Sequence, residues 1–140
     1  MSLKPEEPRH IDAGNPLFAY LLGPEWLPID KGFRWMPKRA TVRLAGPRTA
    51  KEQLFLEGIC PLEKLGGGSV HLEVAVDGIP LKRANISDPE SSFHRLFELP
   101  PELIGRPVVE VAIQTDRIVH TPSQGELGLA FGKIAIRVPE

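Results

Sequence analysis

The chain has 140 residues, 41% of them hydrophobic, and a formal net charge of −1. That length suits one compact domain of about 100 to 150 residues, and the apolar content is too high for a disordered chain. The near-neutral charge argues against nucleic acid as the main partner, because duplex binders carry a basic excess or a basic stripe. The single cysteine, Cys60, excludes an internal disulfide framework and fits a reducing compartment.

Residues 1–16 read as a loose N-terminal arm, polar and with three prolines. They lack the apolar core of a secretory leader. No apolar run anywhere approaches the ~18 residues needed to span a bilayer. The expectation is therefore a cytoplasmic protein without membrane contact, with one domain over 17–140. That domain opens on Leu17, Phe18, Ala19, Tyr20, Leu21 and Leu22, which suit either a short strand or a helical turn.

Residues 22–44 are the densest stretch in chemistry. They hold both tryptophans, Trp26 and Trp35, with Phe33 and the cations Lys31, Arg34, Lys38, Arg39 and Arg43. Pro24, Pro28, Gly32 and Pro37 make the first part a loop, and the alternation of residues 40–44 makes the second part a strand. Residues 53–59 form the next strand, ended by Gly58 and Pro61, and Gly66, Gly67 and Gly68 make a flexible turn.

The clearest strand follows. Val70, Leu72, Val74 and Val76 alternate with His71, Glu73, Ala75 and Asp77, which buries one face and wets the other. Asp77-Gly78 then predicts a hairpin, because a type I′ turn needs positive φ at both central residues. The returning strand covers 79–86, with Pro80 near an edge or at a strand start. Residues 91–99 are ambiguous. Asp88 and Pro89 would start a helix well, yet Phe93, Phe97 and Leu99 fit a period of two, and the surrounding strands favour strand.

Val109, Val111 and Ile113 mark another strand. Leu127, Leu129 and Phe131 mark one more, and Ile134, Ile136 and Val138 a last one. The connection over 115–126 is long and polar, with Arg117 and His120. About seven or eight short strands with regular turn signals predict an all-β fold, an antiparallel β-sandwich of jelly-roll type.

Trp26, Phe33, Arg34, Trp35 and Lys38 are the parts of a carbohydrate platform, with rings to stack on sugars and cations to bond their oxygens. The same residues suit a corner that plugs the end of a sandwich, with Arg34 as a brace. Arg117 and His120 could hold an anion or simply coat a solvated loop.

The histidines His10, His71, His94 and His120 show no zinc-ligand spacing, so no metal is expected. Cys60 lacks a helix N-terminus or neighbouring base to activate it. The glycine triplet lacks the Lys-Ser/Thr of a phosphate loop. No catalytic residue and no cofactor are expected.

The run Gly23-Pro24-Glu25-Trp26-Leu27-Pro28, followed by Phe33-Arg34-Trp35-Met36-Pro37-Lys38-Arg39-Ala40 and a strand, resembles the opening of a group of bacterial β-sandwich domains. Val74-Ala75-Val76-Asp77-Gly78, the Phe-x-Leu-Pro ending at Pro100 and Gly128-Leu129 extend the similarity over residues 19–138. Such domains resemble galactose-binding-like jelly rolls and accompany glycosyltransferase-type modules. The resemblance implies an accessory, sugar-binding role and no catalytic residue. The first expectation is thus a non-catalytic module that binds a carbohydrate or glycoconjugate. The alternative is a structural domain that pairs with a protein partner or with itself. A small barrel enzyme of cupin type is weaker, because its metal spacing is missing.

Overall fold

The computed structural model describes residues 10–27, 29–30, 32–60, 68–87, 92–121 and 125–138. Its strands in chain order are β1 (His10–Asp12), β2 (Ile29–Asp30), β3 (Phe33–Trp35), β4 (Arg39–Ala45), β5 (Gln53–Ile59), β6 (Ser69–Val76), β7 (Ile79–Pro80), β8 (Ala84–Ser87), β9 (Ser92–Glu98), β10 (Val108–Thr115), β11 (Val119–Thr121), β12 (Gly125–Leu127) and β13 (Ala130–Arg137). Short 3₁₀ turns cover Pro16–Leu21 and Pro101–Leu103. Among the described residues there is no α-helix.

Two antiparallel sheets pack into a β-sandwich, as the alternation predicts. The first runs β2–β3–β13–β5–β9, with β1 sharing an edge of β13 with β3. The second runs β4–β10–β6, with β7 and β8 sharing the outer edge of β6. A small β11–β12 hairpin stands apart. Each strand sends every second residue inward. Leu54, Leu56, Phe93, Phe97, Phe131, Ile134 and Ile136 from the first sheet meet Val42, Leu44, Leu72, Val74, Val111 and Ile113 from the second in one buried cluster. Burying a side chain of this size contributes about 1.5–3 kcal/mol.

The Asp77-Gly78 turn forms as expected, with φ of 50° and 83°. The returning strand does not run through 79–86. It splits into β7 and β8, with Leu81, Lys82 and Arg83 between them. Residues 92–98 are strand, and Phe93 and Phe97 face the core. The arm expected over 1–16 gives its last residues to the sandwich: β1 pairs with β13, and Ile11 and Ala13 are fully buried. The glycine triplet Gly66, Gly67 and Gly68 lies mostly outside the described residues; of it only Gly68 is seen, with φ of 83°.

Phe131 and Ile134 belong to one strand, not two. The register of β13 against β5 shifts between Phe131 and Lys133, a β-bulge that puts both residues inward although they are three apart.

The sandwich is closed along both open sides. On one, residues 22–27 run along the free edge of β4: Leu22 bridges Val42, and Gly23 N–H donates to Thr41 O at 2.8 Å. On the other, Arg95 reaches from β9 across to β8 and donates from Nη2 to Asn85 O at 2.8 Å.

Candidate functional site

The loop over 22–38 has a structural job in this fold. The Trp26 indole Nε1 donates to Thr41 O at 2.7 Å. Its ring meets Phe131 edge to face at 5.9 Å, and Phe131 meets Phe93 the same way at 5.7 Å. Trp26 is thus half-buried against the core. Arg34 donates from Nε to Ala13 O at 3.1 Å and from Nη1 to Leu27 O at 3.4 Å, so its guanidinium stitches three loop segments together.

Phe33 and Trp35 are half-buried on β3, on the outer side of the first sheet. The Phe33 ring lies over Gly132, where a Cβ would come within 3.2 Å of it, and Trp35 is the register partner of Ala130. Lys38 is exposed, and its carbonyl accepts from Thr115 N–H. Arg117 donates from Nη1 to Ser69 O at 3.2 Å. The Lys38 carbonyl and Arg117 both meet Thr115, at the same end of β10. His120 lies in β11, and its side chain falls outside what the structure describes.

The outer face of the second sheet holds a different constellation. A hollow of about 380 Å³ runs from the 3₁₀ turn over the edge of β4 to the Asp77 turn, lined by Tyr20, Pro24, Thr41, Arg43, Val108 and Glu110. A second hollow of about 160 Å³ is floored by Ala75 and Ala112 and walled by Arg39, Glu73, Pro80 and Gln114. The two are neighbours, because Thr41 in the first and Ala112 in the second are register partners. The two adjacent hollows, between longer side chains and over small residues of β6 and β10, are together called the trough.

Its charges are placed by the registers. Arg43 stands opposite Glu110, and Arg39 and Glu73 flank Gln114. Asp77 accepts from Arg106 at 2.8 Å and from Glu110 N–H at 2.7 Å, Arg83 pairs with Glu73, and Glu25 accepts from the Thr41 hydroxyl at 3.1 Å. Tyr20 stands at the mouth, 64% exposed. Among the described residues, the side chains of Tyr20, Glu110 and Gln114 make no hydrogen bond.

At the far end of the sheet, His71 Nδ1 lies 2.7 Å from Asp116 Oδ2, and His71 N–H donates to Asp116 Oδ1 at 2.9 Å. Burial opposes the Asp116 charge. The bonds from the His71 ring and backbone outweigh it and hold the carboxyl below its ordinary value. Among the described residues, no group of three His, Cys, Asp or Glu could hold a metal ion, and no helix is long and apolar enough to cross a membrane.

Sequence reasoning singled out the tryptophans and missed Tyr20, Glu110 and Gln114. Tyr20 sits inside an apolar run that gives no hint of which ring faces solvent. The other two were readable as the wet positions of a strand whose dry ones are Val109, Val111 and Ile113.

No protein-family profile and no curated protein sequence matches the chain. Solved structures do, through the fold. A carbohydrate-binding module, TmCBM27, described for specific mannan recognition, aligns with 96% of this chain and 98% of its own, at a TM-score of 0.55 and 13% identity. A family GH115 4-O-methyl-α-glucuronidase aligns over the whole chain at a TM-score of 0.60 and 12% identity. The exo-β-1,3-galactanase of Phanerochaete chrysosporium aligns with 96% of it at 0.52 and 12%. The chain spans 19% of that glucuronidase and 30% of that galactanase. All share the jelly-roll β-sandwich.

Proposed function

We propose that this chain is a non-catalytic carbohydrate-binding module whose ligand lies in the trough on the outer face of β4, β10 and β6. The observation that carries the reading is the trough itself: an exposed tyrosine ring at its mouth, a floor of two alanines, and carboxylates and guanidiniums along both walls. Sugars present apolar C–H faces to an aromatic ring and hydroxyls to charged groups. The ring of Tyr20 suits the first, and Glu110, Gln114, Arg39 and Arg43 suit the second.

The similarity to a mannan-recognising module over nearly its full length supports the reading, as do the two sugar-processing enzymes in which this fold is one part. In this reading Trp26 and Arg34 brace the loop, and Trp35, Lys38 and Arg117 lie outside the trough. The chain then serves as an accessory to a carbohydrate-active module. The sequence resemblance names a transferase type for that module, and the two enzymes are hydrolases.

The test is affinity electrophoresis of the chain through gels containing mannan, arabinogalactan or β-1,3-galactan. The expected result is retardation in at least one of them and about tenfold weaker retention for Tyr20→Ala, with an unchanged melting temperature because the ring is exposed. Retardation in none of them sinks the reading. The alternative, a protein-interaction domain, draws on Leu96, an apolar residue 47% exposed on the edge strand β9.

A further inference from the structure

The opposite face of the sandwich carries a further hollow, of about 280 Å³, lined by His10, Phe55, Glu57, Lys133, Ala135 and Arg137. We infer that this hollow is a binding site for an anionic sugar residue, separate from the trough.

The register builds it. Ala135 on β13 is flanked across the sheet by His10 of β1 and Phe55 of β5. Along β13 itself it lies between Lys133 and Arg137, both exposed. Residues two apart on a strand share a face and lie about 7 Å from each other. The result is a small apolar dip with one ring on either side and one cation at either end. The Arg137 guanidinium stacks over the Phe55 ring, 4.4 Å from its centroid, and the His94 ring tilts toward the same phenylalanine at 6.5 Å.

The cations are what point to a ligand. Among the described residues, neither Lys133 nor Arg137 has an ion pair, although the chain as a whole carries one more acidic than basic group. Among the described residues, Arg137 is held by its stacking on Phe55, which orients its donors and leaves them unspent. Guanidinium and ammonium groups placed this way bind a carboxylate or sulfate through charge-assisted hydrogen bonds. Glu57 sits on the same face, opposite Lys133. A purely anionic ligand would avoid it, whereas sugar hydroxyls can donate to it. One acidic group together with several hydroxyls on a ring about the size of the Ala135 dip satisfies both: a hexuronate, or a hexose carrying a sulfate ester.

The experiment titrates the full chain by isothermal calorimetry with three probes: an oligogalacturonate, its fully methyl-esterified form, and a sulfated galactan oligosaccharide. The site predicts that the oligogalacturonate or the sulfated probe binds, and which one does so identifies the acidic group. Arg137→Ala and Lys133→Ala should each weaken that binding about tenfold or more, and added salt should weaken it further. Both side chains are exposed, so the variants should melt like the wild type. Equal binding of the esterified form, unchanged binding in both variants, or binding of neither anionic probe overturns the inference. Tyr20→Ala should leave this binding intact. Loss of neutral-glycan binding in that variant alone, or loss of acidic-glycan binding in Arg137→Ala alone, distinguishes failure of one site from failure of the other.

Discussion

Trp26 shows how one side chain can look like a binding platform and act as a brace. Its indole N–H and the Gly23 amide both donate to Thr41 O. Trp26→Phe keeps the ring against Phe131 and removes one of two donors from a carbonyl that stays bonded, so it should cost only about 1 kcal/mol. Trp26→Ala removes the ring as well and should cost about 3 kcal/mol or more. Urea unfolding of the two variants measures the difference, and equal small losses would mean that the ring supports little. Asp116 makes a prediction with a definite sign. Its carboxyl is held below the ordinary value of 3.8 in the folded chain. The stabilisation is therefore complete above that value and is lost as pH falls below it toward the depressed one. Asp116→Asn should flatten the stability curve in that acidic window. The same steepness below pH 4 in the variant would show that other carboxylates govern it.

Among the elements, β6 and its turn were the most legible. Four aliphatic residues at a spacing of two, then Asp-Gly, leave little choice of structure. Gly78 has open space around its missing Cβ but a φ of +83°, so Gly78→Ala pays only for the backbone, about 1–2 kcal/mol. Gly58 is the reverse case. A Cβ there would stand 2.2 Å from Ala130 O, against the bulged part of β13. Gly58→Ala must push two paired strands apart and should cost more, about 2–3 kcal/mol. Denaturation midpoints decide it, and a smaller loss at Gly58 would show that the bulge can give. The bulge also explains what the sequence hid. Leu127, Leu129 and Phe131 sit on odd positions and Ile134 and Ile136 on even ones, which reads as two strands until a bulge at Gly132 restores the parity. β1 was illegible for another reason: three residues in a polar, proline-rich segment carry too little pattern to show that Ile11 enters the core.

Across the whole molecule, the fold class was readable because alternation is a local signal, while the sites were not because they depend on which strands lie side by side. Ala75 and Ala112 are 37 positions apart in the chain and become one floor only through the pairing of β6 with β10. Lys133, Phe55 and His10 likewise come from three separate strands. The trough and the Ala135 hollow lie on opposite outer faces with the hydrophobic core between them, so occupancy of one leaves the other sterically free. If both proposed sites bind, two weak contacts on one polymer would raise the apparent affinity without any new contact.

The pairing of His10 with Ala135 has a mechanical consequence. The described chain enters and leaves at the same end of one antiparallel strand pair. A pull on its two ends would open β1 from β13 one hydrogen bond after another, as a zip opens, instead of loading all the bonds together. The outermost strands would give way at low force, while the paired centre of the second sheet would stay intact and still present its trough.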